Sequence, residues 1–171
     1  MADLPIQPDL TGFVEAADTR RVVSVHTRLL GEEFTAVGLY HQLCGDRPGT
    51  FLLESAAGGV WGRYSFVGVS AAATLSEKDG EAVWTWSGRP IDGLPTGGNP
   101  LEVLARTLEQ LHTPHDPELP PLVSGLVGYL GYDVVRRLEK LPDNNPDDLG
   151  IPELAMLLVT DMAVLDQHTG E

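Results

Sequence analysis

The chain has 171 residues, 42% hydrophobic and 21% charged, which suits one globular domain with a real core and falls short of two full domains. Its 25 acidic against 11 basic side chains leave a formal charge of −14, a surface that repels phosphate backbones and excludes nucleic acid as a partner. The longest apolar run, LAMLLV at 154–159, is far shorter than the ~20 residues a membrane helix needs, so no membrane span is expected.

The start MADLPIQPDL has no basic region followed by an apolar one, so no secretory signal is expected. Cys44 stands alone, which rules out an internal disulfide or a multi-cysteine metal site and fits a reducing cytoplasm.

Residues 1–20 mix prolines, Gly12 and acids without sustained periodicity and read as a loose lead-in to a domain spanning 21–171. RVVSVHTRLL at 21–30 is ambiguous: its valines favour a strand, its later leucines a helical face. From Thr35 the pattern is helical, with Thr35 as the cap, Val37, Tyr40 and Cys44 on one face, and Gly45 to Pro48 as the stop. TFLLES at 50–55 is bounded by Pro-Gly and Ala-Ala-Gly-Gly and reads as a buried strand.

RYSFVGVSAAATL at 63–75 and EAVWTWSG at 81–88 are rich in β-branched and aromatic residues. Asp79-Gly80 between them supplies the positive φ of a tight turn, which predicts a hairpin. Asn99, Pro100 and Glu102 form a helix start, and Leu101, Leu104, Leu108 and Leu111 continue it as the predicted buried face. LVSGLVGYLGYDVV at 122–135 suits a central strand approached closely by a neighbour. RRLEKLP follows as a helical turn, DNNPDDLGIPE as an acidic loop, and LAMLLVTDMAVLD at 154–166 as a long strand. The turn-like QHTGE leaves that strand without a following partner, as though the fold continued.

Gly125, Gly128 and Gly131 do not follow the dinucleotide fingerprint, and no phosphate loop is present. His26, His41, His112, His115 and His168 never reach metal-ligand spacing, and Ser55, Ser65 and Ser124 lack a nucleophile-elbow context. No catalytic or metal-binding residue is therefore nominated. Glu54 is the unusual residue, because a carboxylate ending an apolar strand is costly to bury unless a cation or donors meet it. An internal ion pair, for instance with Arg63, and a ligand ammonium are both open readings.

FLLES at 51–55, GRYSFVG at 62–68 and GYLGYDVVRRLEKLP at 128–142 together resemble the large subunit of anthranilate synthase, component I, in order and spacing. The similarity runs from about residue 21 to the end. It implies an α+β fold: a mostly antiparallel β-sheet or incomplete β-sandwich with two or three helices, the amino-terminal part of the chorismate-utilising synthase fold. It also implies that 21–171 is the regulatory domain, truncated before the catalytic chorismate-binding half and inactive by itself.

In that family L-tryptophan, the pathway end product, binds between the sheets and inhibits the enzyme. Carried over by motif, the tryptophan-binding residues here are Leu53, Glu54 and Ser55, with Tyr64, Ser65 and Phe66 opposite. Glu54 then takes the ammonium, Ser55 and nearby backbone groups make polar contacts, and Leu53 with Phe66 holds the ring. The full-length enzyme is expected to convert chorismate and glutamine-derived ammonia to anthranilate and pyruvate, with Mg2+ and a separate glutamine amidotransferase subunit, component II. This fragment needs no cofactor of its own. Aminodeoxychorismate synthase component I, of folate biosynthesis, carries similar segments, but the full LLES and the DVVRRLEKLP continuation favour the tryptophan pathway. A stand-alone amino-acid-binding module is a further alternative, and an exposed strand edge leaves room for a homo-oligomer.

Overall fold

The computed structural model describes residues 4–31, 33–54, 62–142 and 146–171. Its α-helices are α1, Leu10–Ala17; α2, Ala36–Leu43; and α3, Pro100–Leu111. Its strands are β1, Phe51–Leu53; β2, Tyr64–Lys78; β3, Glu81–Trp86; β4, Gly125–Leu130; and β5, Leu154–Asp166. They hydrogen-bond in the order β1-β2-β5-β4, with β3 also on β2. The fold is α+β, as the sequence predicts.

By contacts the chain divides into two units, one of residues 1–71, 110–125 and 159–171, the other of 72–109 and 126–158. In the second unit, Ala73 to Lys78 pair antiparallel with Glu81 to Trp86. The two-residue turn has φ of 55° at Asp79 and 85° at Gly80, the double positive φ that closes a hairpin without splaying it. Glu77 Oε1 accepts from Gly80 N at 2.5 Å and pins that turn.

Leu75, Ala82, Val103 and Leu154 form the core of this unit, flanked by half-buried Trp84, Leu101, Leu104 and Met156. The buried face of α3 is thus Pro100, Val103 and Thr107, while Leu108, predicted to be inside, is 49% exposed. Thr107 tolerates full burial because its hydroxyl donates to the Val103 carbonyl at 2.7 Å, leaving no unmet polar group. β4 has one neighbour, β5, and so lies at an edge of the described sheet rather than at its centre. The close approach expected there is present: a Cβ at Gly128 would sit 1.9 Å from the Ala155 carbonyl oxygen.

In the first unit, Thr35 caps α2 by accepting from Gly38 N at 3.1 Å. Ala36 and Cys44 are buried and Val37 is exposed. Asp9 likewise caps α1, within the stretch that shows no periodicity in sequence; α1 buries no residue, which explains why no apolar stripe announces it. The ambiguous segment after residue 20 forms neither helix nor strand but makes a single bridge between His26 and Gln7. β1 pairs antiparallel with β2, Leu53 opposite Phe66, Leu52 opposite Val67 and Phe51 opposite Gly68.

Candidate functional site

The β1–β2 register decides which nominated side chains can meet. Directly opposed residues of an antiparallel pair point to the same face, and successive residues to opposite faces. Leu53 and Phe66 therefore share a face with Tyr64, whose ring centroid lies 6.1 Å from that of Phe66. Ser65 and Val67, both fully buried, point to the other face. Glu54 follows Leu53, and it lines a cleft together with Ser65. Ser55 lies outside the described residues.

That cleft belongs wholly to the first unit and has a volume of about 320 Å³, at the small end of the ~300–1,000 Å³ usual for small-molecule sites. Phe34 and Leu165 supply apolar wall, and Thr35, Glu54, Ser65, Asp166, Gln167 and Glu171 supply the polar groups. Glu54 is exposed rather than partly buried, because β1 stops at Leu53 and leaves the next residue at the cleft.

Arg63 does not pair with Glu54. Its Nε donates to both oxygens of Asp166 at 2.9 and 3.0 Å, and its Nη2 donates to Oδ2 at 2.5 Å. The same guanidinium stands 4.8 Å above the Tyr64 ring centre. Hydrogen bonding from Arg63, opposed by partial burial, holds the Asp166 carboxyl at about 2 against an ordinary 3.8. The hydrogen bond to Asp166 raises the Arg63 guanidinium in turn. Among the described residues, Asp166 is thus committed to Arg63, and Glu171 lies 3.9 Å from Arg28, while no ion pair engages Glu54. The cleft keeps one carboxylate available for an incoming cation.

Gln167 follows Asp166 where β5 turns away. Its backbone N donates to the Arg63 carbonyl at 2.8 Å, and its Nε2 donates to the Ser65 hydroxyl at 3.4 Å. Ser70 and Thr160, 3.1 Å apart between hydroxyl oxygens, continue the same antiparallel course of β2 beside β5. Sequence reading missed Asp166 and Gln167, which lie about a hundred residues from their partners on β2; no local pattern links the two segments.

A second cleft in this unit, of about 440 Å³, is lined in part by Arg20, His26, His115 and Ser124 and contains none of the nominated residues. The His26 Nδ1 is buried without a hydrogen-bond partner among the described residues. Among the described residues no group of three or more His, Cys, Asp or Glu side chains could hold a metal ion, and no helix is long and apolar enough to cross a membrane.

No family model matches the chain. Curated relatives include anthranilate synthase component 1 of Arthrobacter globiformis, 49% identical over 99% of this chain and 32% of the relative. The component 1 proteins of Mycolicibacterium smegmatis, 46% identical over 92% of this chain and 30% of theirs, and Mycobacterium tuberculosis, 44% identical over 99% and 33%, match as well. The chain spans about a third of the length of these relatives. Among solved structures, anthranilate synthase component I from Streptococcus pneumoniae shares the fold, with a TM-score of 0.50 and 20% identity over 84% of this chain and 30% of that one.

Proposed function

Because the chain is homologous over nearly its whole length to a third of anthranilate synthase component 1, we propose that it is the amino-terminal regulatory region of that enzyme and carries part of a feedback site for L-tryptophan. The observation that supports this reading most directly is the common cleft of Glu54 and Ser65. A zwitterionic indole amino acid needs an anion for its ammonium, donors for its carboxylate and an apolar wall for its ring. Glu54 takes the first role. Phe34 and Leu165 stand on the cleft side of the sheet and take the third, in place of Leu53 and Phe66, which together with Tyr64 pack the far face. Ser55, next to Glu54 in sequence, adds a polar contact.

The full-length protein, in this proposal, is a cytoplasmic lyase of tryptophan biosynthesis that converts chorismate and ammonia to anthranilate and pyruvate. A separate glutamine amidotransferase subunit delivers the ammonia. Magnesium bound in the catalytic half would supply electrostatic stabilisation there; among the described residues of this chain no group of three or more His, Cys, Asp or Glu side chains could hold it. The chain alone is catalytically silent and acts by coupling tryptophan occupancy to the rest of the enzyme.

The test is calorimetric titration of the full-length protein with L-tryptophan, with L-phenylalanine as control, beside the same titration of Glu54→Ala. Selective saturable binding that Glu54→Ala weakens at least tenfold, with activity at low tryptophan preserved, supports the proposal. Unchanged inhibition in Glu54→Ala would remove Glu54 from the site.

A further inference from the structure

We infer that Gln167 is a specificity-determining residue of the cleft, holding the α-carboxylate of the bound amino acid through its side-chain amide. The inference rests on the proposal that the Glu54 cleft is an amino-acid site, and it adds a residue that no motif of the sequence nominates.

Gln167 is placed by two contacts of its own and by the anchoring of its neighbour. Its backbone N donates to the Arg63 carbonyl at 2.8 Å. The preceding residue, Asp166, is clamped through both oxygens by the Arg63 guanidinium. Its side-chain Nε2 donates to the Ser65 hydroxyl at 3.4 Å. Ser65 is fully buried and so orients the amide from behind the cleft wall, whereas Gln167 is exposed and lines the cleft. An amide nitrogen has two hydrogens, so one remains after the bond to Ser65. A bond of this kind to a charged acceptor such as a carboxylate is about twice as strong as a neutral one.

The opposite charge is provided for separately. Asp166 is already neutralised by Arg63, so it neither repels the ligand carboxylate nor competes for the ammonium, which is left to Glu54. The Arg63–Asp166 pair is accordingly a positioning device, and it acts on the ligand through Gln167. An amine without the carboxylate gains nothing from Gln167.

The test compares L-tryptophan with tryptamine, which keeps the indole and the ammonium but lacks the carboxylate, on full-length protein and on Gln167→Glu. The substitution conserves shape and exchanges the donor for an anion. Expected is a loss of tryptophan affinity of tenfold or more, with tryptamine affinity unchanged or higher and the urea unfolding midpoint retained. Gln167→Leu, which removes the donor without adding charge, should give a smaller loss in the same direction. An unchanged tryptophan affinity in Gln167→Glu, or an equal loss for both ligands, overturns the assignment of Gln167 alone. Absence of saturable tryptophan binding in the unsubstituted protein overturns the amino-acid site and this inference with it.

Discussion

The unit of residues 72–109 and 126–158 and the unit that holds the cleft solve different problems with the same strands. The former is centred on Leu75, Ala82, Val103 and Leu154, all at most 3% exposed, and its one buried hydroxyl is satisfied within its own helix. Around the cleft, the latter is organised by a guanidinium, three carboxylates, an amide and a buried hydroxyl. Apolar burial is non-directional and tolerates approximate geometry, whereas this polar cluster has to be aimed. The difference predicts that substitutions in the first place act on stability, and substitutions in the second on recognition.

The largest effect is expected from Gly128→Val. The new side chain would collide with the Ala155 backbone, which cannot step aside as a flexible side chain could, so a cost of about 3 kcal/mol or more is expected in urea denaturation. An unaltered midpoint would contradict the β4–β5 packing.

Leu75→Ala should come next, at roughly 2–5 kcal/mol, because Leu75 is fully buried in the core. Thr85→Ala, on the exposed side of the same hairpin, should stay within about 0.5 kcal/mol. Similar losses for both would mean that the hairpin faces are misassigned. Thr35→Ala, which removes the α2 cap, should cost about 1 kcal/mol, again by urea denaturation.

The cleft should behave otherwise. Glu54→Gln is expected to leave the unfolding midpoint within about 0.5 kcal/mol of its original value, since Glu54 is exposed and pairs with no cation among the described residues. Its effect should appear in tryptophan binding instead. A large loss of stability would make Glu54 a structural residue.

The smallest effect is a pH dependence. The folded Asp166 carboxyl, at about 2, lies below its ordinary value of 3.8, so in that interval the unfolded chain binds the proton more readily. The contribution of the Arg63–Asp166 pair is thus complete above pH ~4 and is lost as pH falls towards ~2. Acid unfolding monitored by circular dichroism should be shallower over this interval in Arg63→Met, and an identical acid limb in both proteins would contradict the pairing.

Much of the secondary structure was legible because its causes are local. A cap bonds three residues ahead, as Thr35 does to Gly38, and two runs rich in β-branched and aromatic residues with Asp-Gly between them specify a hairpin. α1 escaped detection because it buries nothing and so carries no stripe. On α3, Leu101 and Leu104 do flank the core, but Leu108 was misplaced, because leucine spacing alone cannot say that a hydroxyl bonded to its own helix, that of Thr107, is the better residue to bury.

The cleft was legible in part. Glu54 and Ser65 were nominated through the resemblance, but alternation along the strand sends Leu53, Tyr64 and Phe66 to the far face, a consequence of the β1–β2 register. Gln167 had no signal, since its partners lie on another strand about a hundred positions earlier.

The sequence by itself determined most element types, the hairpin turn and the caps of α2 and α3, since each depends on residues a few positions apart. Only the tertiary structure decided that Arg63 answers Asp166 rather than Glu54, and that Glu54 is thereby left available. Which of several acids meets a given base is settled by how distant strands align, and that alignment follows from burying the strands together, not from the sequence around either charge.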